Sequence, residues 1–165
     1  MRYQQLGKTG LEVSELGFGG IPILRLESGE AEKILRHAFD RGITFYDTAN
    51  AYHDSEAKMG RAFAGIRDKV IFATKTMKQS LQRLQTDYID LYQLHQVAQE
   101  SVWQTISAPG GALEALQKAK EAGKIRFLGV TSHSRPMAIK LIQTGLFSTV
   151  QFPFNFIEVD AAGDL

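Results

Sequence analysis

The sequence predicts an α/β fold. It reads as a parallel sheet rolled into a (β/α)8 barrel of the TIM type, with six of the eight strands present and a β-hairpin in front. Three observations predict this. Short β-rich runs alternate with amphipathic helical stretches in near-regular order, the pattern of a parallel sheet. Several runs are nearly continuous in apolar residues, among them Ile43-Thr44-Phe45-Tyr46-Asp47 and Val70-Ile71-Phe72-Ala73-Thr74, as suits strands covered on both faces. Finally, ionisable residues gather at the ends of the second, third and fourth strands, as on the functional face of a barrel. The rival is a doubly wound open sheet, whose dinucleotide-binding form carries G-x-G-x-x-G in its first strand–helix turn. Here that turn is Gly17-Phe18-Gly19-Gly20-Ile21-Pro22, without the third glycine.

The elements follow in order. Residues 2–6 and 11–14 read as a strand pair joined by the turn Gly7-Lys8-Thr9-Gly10. The first sheet strand is expected at 16–19. A helix over 30–40 places Ala31, Ile34, Leu35 and Ala38 on one face, with Ser28 as N-cap and Gly42 just past its end. Strand two, 43–47, leads to a helix from Ser55, a second N-cap candidate, to Gly65. Strand three spans 70–74, a short helical piece 80–85, and strand four 88–94. A long loop containing Trp103 then reaches a helix over 111–122, with Leu113 and Leu116 inward and Gly123 at its stop. Strand five is 126–130. The next helix opens at Ser134-Arg135-Pro136, where proline's missing N–H costs least, and ends before Gly145. Strand six is 149–152, and 153–165 reads as a loop entering another helix.

A complete barrel takes about 250 residues, so residues 1–165 are expected to form a single partial barrel domain lacking its last quarter. The 18 residues between the starts of strands three and four leave little room for a full crossover helix. Such an object should expose apolar strand edges.

Composition narrows the function. With 19 Lys and Arg against 18 Asp and Glu, the net charge of +1 is too balanced to grip nucleic acid or a membrane surface. The absence of cysteine excludes disulfides, thiolate metal sites and a cysteine nucleophile. No apolar run approaches the ~20 residues that span a bilayer. The opening residues lack the basic and apolar regions of a signal peptide, so a cytoplasmic location is expected. His37, His53 and His133 show no metal-ligand spacing, and no metal site is expected.

Four side chains stand out. Asp47 ends strand two, Tyr52 follows in the loop, Lys75 ends strand three and His95 ends strand four. Each has a bland reading: a turn cap, a packed ring, a solvated charge, a structural imidazole. Their coincidence at one rim argues for chemistry, because adjacent strands lie about 5 Å apart. A tyrosine of pKa about 10 is a poor acid at neutral pH, and a neighbouring ammonium lowers that pKa. Asp47 would hold Lys75 charged and oriented, and a neutral His95 would hydrogen-bond a substrate carbonyl. That set suits protonation of a carbonyl oxygen as hydride reaches its carbon.

The runs Asp47-Thr48-Ala49-Asn50-Ala51-Tyr52, Ala73-Thr74-Lys75-Thr76 and Leu91-Tyr92-Gln93-Leu94-His95 resemble the aldo-keto reductases, as does the opening Tyr3–Ser14. The resemblance covers nearly all of the chain. It implies a barrel that reduces small aldehydes or ketones with NADPH and without a metal. Tyr52 would be the proton donor, tuned by Lys75 and Asp47, with His95 orienting the carbonyl. By the same resemblance the nicotinamide contacts fall on Gly19, Asp47, Thr131, Ser132 and Gln151; Thr131-Ser132 stands where the family has Ser-Asn. The family's strands seven and eight, whose loops hold the cofactor's phosphates and adenosine, have no counterpart here. Two other readings follow: a nicotinamide-binding regulatory protein without turnover, or an inactive truncated barrel.

Overall fold

The computed structural model describes residues 1–75 and 79–153. Strands β1 (Tyr3–Gln5) and β2 (Glu12–Ser14) pair antiparallel. Gly7 and Gly10 turn the chain between them at φ of +52° and +71°, a conformation that favours glycine. Six parallel strands then form one sheet in chain order: β3 (Phe18–Gly19), β4 (Phe45–Asp47), β5 (Ile71–Thr74), β6 (Ile89–Leu94), β7 (Ile125–Thr131) and β8 (Thr149–Gln151). The helices are α1 (Ser28–Asp40), α2 (Ser55–Ala62), α3 (Ser80–Arg83), α4 (Glu100–Ser107), α5 (Ala112–Glu121) and α6 (Arg135–Gln143).

The sheet is curled into a half-barrel, and two sets of hydrogen bonds require it. At the N-terminal ends of the strands, Tyr3 Oη donates to Gly42 O at 3.0 Å and Lys8 N donates to Ser148 O at 2.9 Å. The hairpin thus bridges the approaches to β4 and β8, which are four places apart in the sheet. At the opposite end, the Gln151 side chain hydrogen-bonds Asp47, joining the same two strands across the interior.

Side-chain alternation along the strands divides two environments. Outward residues meet the helices: Tyr46, Phe63 and Phe72 stack with centroids 4.5 and 5.9 Å apart, against Leu35 and Met59. Asp90, also buried, accepts from Arg67 at 2.7 Å, Arg126 at 2.8 Å and the Phe72 N–H at 3.0 Å, which ties the lower ends of β5, β6 and β7 together. Inward residues include Leu91, Gln93, Gly129 and Thr149. A Cβ on Gly129 would crowd the Thr149 hydroxyl, Gln93 and Leu91, so any larger residue there would make these side chains shift.

Several expectations are corrected. Leu16 is 62% exposed, because the chain bends there and the first strand begins only at Phe18. Ile34 is 40% exposed: α1 buries Ala31 and Leu35, and Ile34 lies off that stripe. Ser28 caps nothing; the N-cap is Glu27, and the Ser28 hydroxyl accepts from Arg61 at 2.9 Å. Ser55 lies inside α2 behind an Asp54 N-cap, and its hydroxyl is drawn inward to Thr48 and Gly20. The long loop before α5 contains α4, whose few apolar residues were too short a run to show periodicity. Trp103 sits on that helix, 8% exposed and edge-on to Phe147 at 6.1 Å. By contrast, α6 does open at Ser134-Arg135-Pro136 with proline in its first turn, the Ser134 hydroxyl accepting from Met137 N, and α3 is as short as the strand interval demands. The reading of 154–165 lies outside the described residues.

Gly60 on α2 faces the backbone of α3: a Cβ would come 2.5 Å from Arg83 O and 2.8 Å from Leu84 C. Gly60→Ala is expected to destabilise the chain by about 1–3 kcal/mol through this overpacking, measured by chemical denaturation; an unchanged midpoint would show that the two helices are not seated as described.

Candidate active site

The inward parity that runs along the strands carries Asp47, Lys75, Gln93, Thr131 and Gln151 to the C-terminal mouth of the half-barrel. Register fixes their heights: Gly19 pairs with Asp47, Asp47 with Ala73, and Thr131 with Gln151. Beyond β4 the chain stays tethered to β5, with Thr48 N donating to Ala73 O and Asn50 N to Lys75 O. That tether delivers Tyr52 above the mouth.

Lys75, 3% exposed, donates from Nζ to both carboxylate oxygens of Asp47, at 2.7 and 2.8 Å, and to Thr48 O at 3.3 Å. Burial pushes the Asp47 carboxyl above its ordinary range, while Lys75, then His95 and the bond from Gln151, pull the other way. The Lys75 ammonium also stands 6.0 Å from the centroid of the Tyr52 ring. A recess of about 350 Å³ is lined by Asp47, Tyr52, Lys75 and His95 together with Thr131, Ser132 and Gln151. Ile21, Phe152 and Pro153 give it an apolar border, and Gln96 and His133 a further polar one.

All four expected catalytic candidates therefore meet at one recess. Their electrostatics differ from expectation in one respect. The Tyr52 phenol is raised above its ordinary value of 10, first by burial and then by the charge of Asp47. The expected lowering by Lys75 is therefore not found, since burial and the Asp47 charge decide the direction. Tyr52 consequently holds its proton at neutral pH. His95 is pushed below the ordinary 6.5, by burial first and then by the Lys75 charge, so its imidazole is neutral and keeps one N–H to donate.

Of the expected cofactor contacts, Asp47, Thr131, Ser132 and Gln151 line the recess, while Gly19 does not. A Cβ on Gly19 would meet nothing within 4 Å, so the strand end leaves open space beside the mouth. Two of the hydroxyls are already engaged. Ser132 Oγ donates to Val97 O at 2.9 Å, and Thr131 Oγ1 accepts from Gln96 N at 2.8 Å. The Gln151 amide lies between Asp47 and Gln93, accepting from Gln93 Nε2 at 3.1 Å. Among the described residues no group of three or more His, Cys, Asp or Glu could hold a metal ion, and no helix is long and apolar enough to cross a membrane.

Sequence reasoning missed Gln93, buried behind Gln151, and Glu56, buried on the inner side of α2. Each is a polar residue at a position whose parity or helical face is otherwise apolar, and that was the available signal.

Residues 15–163 match the family model described as "Aldo/keto reductase family". The aldo-keto reductase YhdN of Bacillus subtilis (strain 168) is 35% identical over 189 residues, covering 96% of this chain and 55% of the relative. L-galactose dehydrogenase of Arabidopsis thaliana is 35% identical over 152 residues, 76% of this chain and 47% of that protein. The holo form of the aldo-keto reductase AKR11C1 from Bacillus halodurans superposes with a TM-score of 0.76 at 32% identity, over 93% of this chain and 58% of its own. The chain spans about half the length of the curated relatives it matches.

The lowered His95 pKa has a consequence for stability. Between the folded value and the ordinary 6.5, the unfolded chain binds the extra proton, so folding weakens as pH falls below about 6.5, by a small amount because His95 is exposed and water screens its charge. Thermal unfolding of the parent between pH 7.5 and 5 should therefore steepen relative to His95→Gln. Parallel losses in the two proteins would contradict the placement of His95.

Proposed function

The chain belongs to the aldo/keto reductase family, and from that premise we propose that it serves NADPH-dependent reduction of small aldehydes and ketones to alcohols. The observation that carries the reading is the buried Lys75–Asp47 pair beneath the Tyr52 ring, with a neutral His95 on the same recess. Residues 1–165 are read as one partial barrel domain acting on a small-molecule carbonyl compound in the cytoplasm.

In this reading the carbonyl oxygen sits between the His95 N–H and the Tyr52 hydroxyl. His95 orients the oxygen by a hydrogen bond that strengthens as negative charge builds on it. Tyr52 enters with its proton in place, and the developing alkoxide, a far stronger base than a phenolate, takes that proton as it forms. The resulting phenolate needs a positive neighbour. Lys75 supplies it, and Asp47 keeps the ammonium fixed in a mouth of low dielectric. Gln151, Ser132, Thr131 and Asp47, with open space beside Gly19, are the residues that would hold the nicotinamide. When bound, the nicotinamide supplies the hydride. The ammonium's role is then to support the phenolate once formed, since Tyr52 rests protonated.

The names of several relatives suggest which carbonyl compounds to try first. L-galactose dehydrogenase, L-glyceraldehyde 3-phosphate reductase and 6-dehydroglucose reductase are all named for sugars or their short-chain kin. Small hydroxylated aldehydes are therefore the first substrates to assay, in keeping with the polar side chains of Gln96 and His133 at the recess.

Tyr52→Phe should reduce turnover of such an aldehyde by about 10²–10⁴-fold, the usual contribution of a positioned acid, while NADPH quenching of protein fluorescence is retained. Full activity in the variant would remove Tyr52 as the proton donor.

A further inference from the structure

We propose that Arg83, anchored by the buried carboxylate of Glu56, is a positioning residue that clamps the 50–53 turn and so sets Tyr52 against the Lys75–Asp47 pair. Its functional meaning rests on the reading of Tyr52 as the proton donor. Its geometry does not.

Arg83 Nη1 points at Asn50 O, 3.4 Å away, and at His53 O, 3.5 Å away. Those carbonyls flank Tyr52 on either side in the chain. Each bond is long, and the restraint comes from one cation drawing two carbonyl dipoles together. The turn needs such restraint, because His53 has φ of +40°, a left-handed conformation costly for a side chain with a Cβ.

Glu56 explains why the guanidinium stays there. It is fully buried; Oε1 accepts from the Thr74 hydroxyl at 2.7 Å, and Oε2 has no hydrogen-bond partner. Arg83 Nη1 lies 3.7 Å from that bare oxygen. A buried carboxylate is costly without a nearby cation, so Glu56 holds Arg83 electrostatically. The other side of the fork is fixed as well, with Nη2 donating to Gln79 Oε1 at 2.8 Å. Below it, the close seating of Gly60 on the Arg83 carbonyl sets the base of the side chain. The clamp thus ties α2, α3 and the 50–53 turn to Thr74, the residue before Lys75. Lysine, with a point charge and no fork, could not reach all of these partners.

The test reads Tyr52 directly and requires no turnover. The phenol is titrated by NMR in chain carrying ¹³C-tyrosine, with Tyr52→Phe assigning the signal, and amide exchange is followed at Tyr52 and His53. In Arg83→Met the loosened turn should let Tyr52 swing into water and away from Asp47, so its titration falls toward the ordinary 10. Amide exchange at the turn should rise by about tenfold while the sheet strands stay protected. Glu56→Gln keeps the Thr74 bond, removes the charge that holds Arg83, and should move both readouts the same way by less; Arg83→Lys should restore them in part. A titration that rises in folded Arg83→Met would mean Arg83 acts only as a nearby positive charge, and an unmoved one that it does not touch Tyr52. Either overturns the clamp. If Arg83→Met does not fold, an unmoved titration in Glu56→Gln overturns it alone. A chain without reductase activity whose Tyr52 titration falls as expected upholds the clamp and refutes the donor reading; the converse pair of results does the opposite.

Discussion

The ion pair between Lys75 and Asp47 is the constraint on which the rest of the mouth depends. Two charges taken out of water are tolerable only when each satisfies the other closely. Here both carboxylate oxygens lie within 2.8 Å of one ammonium that is 3% exposed. Asp47 and Lys75 come from neighbouring strands, so the pair requires β4 and β5 to lie in parallel register with their inward residues in phase. The bond from Gln151 to the same carboxylate requires the far edge of the sheet to have curled back. One carboxylate therefore reports on the register and on the curvature together.

That dependence also explains how the site handles its protons. Burial is the first reason the Tyr52 phenol keeps its proton, and the charge of Asp47 adds to it. His95, though exposed, is also lowered, by its partial desolvation and then by the Lys75 charge. Both groups facing the recess are thus proton-bearing and neutral, the state in which each can donate a hydrogen bond to an oxygen. Behind them, the Asp90 cluster with Arg67 and Arg126 and the hairpin contacts to Gly42 and Ser148 hold the opposite end of the half-barrel.

What was legible in the sequence was set by parity and by residue chemistry. Strand alternation and the apolar runs gave the order of six parallel strands, and the strand-end positions of Asp47, Lys75 and His95 gave the convergence at one rim. Gly42 and the start of α6 were readable because a left-handed helix end favours glycine and the first helical turn tolerates Pro136. Ser28 and Ser55 were misread as caps because a serine hydroxyl serves equally well for tertiary bonds, to Arg61 in one case and to Thr48 and Gly20 in the other. Helix α4 was hidden by its length, with only Trp103 buried. The direction of the Tyr52 shift was not readable at all. It is set first by how far the ring is buried and then by the charge of Asp47, and a sequence shows neither.

The most direct test of the ion pair is the titration of the Asp47 carboxyl, followed by NMR in the parent and in Lys75→Met. Burial raises this group and Lys75 lowers it, so removing the ammonium should carry the Asp47 midpoint further upward. A midpoint that stays where it was would mean that the two side chains do not meet, and the site built on them would fall.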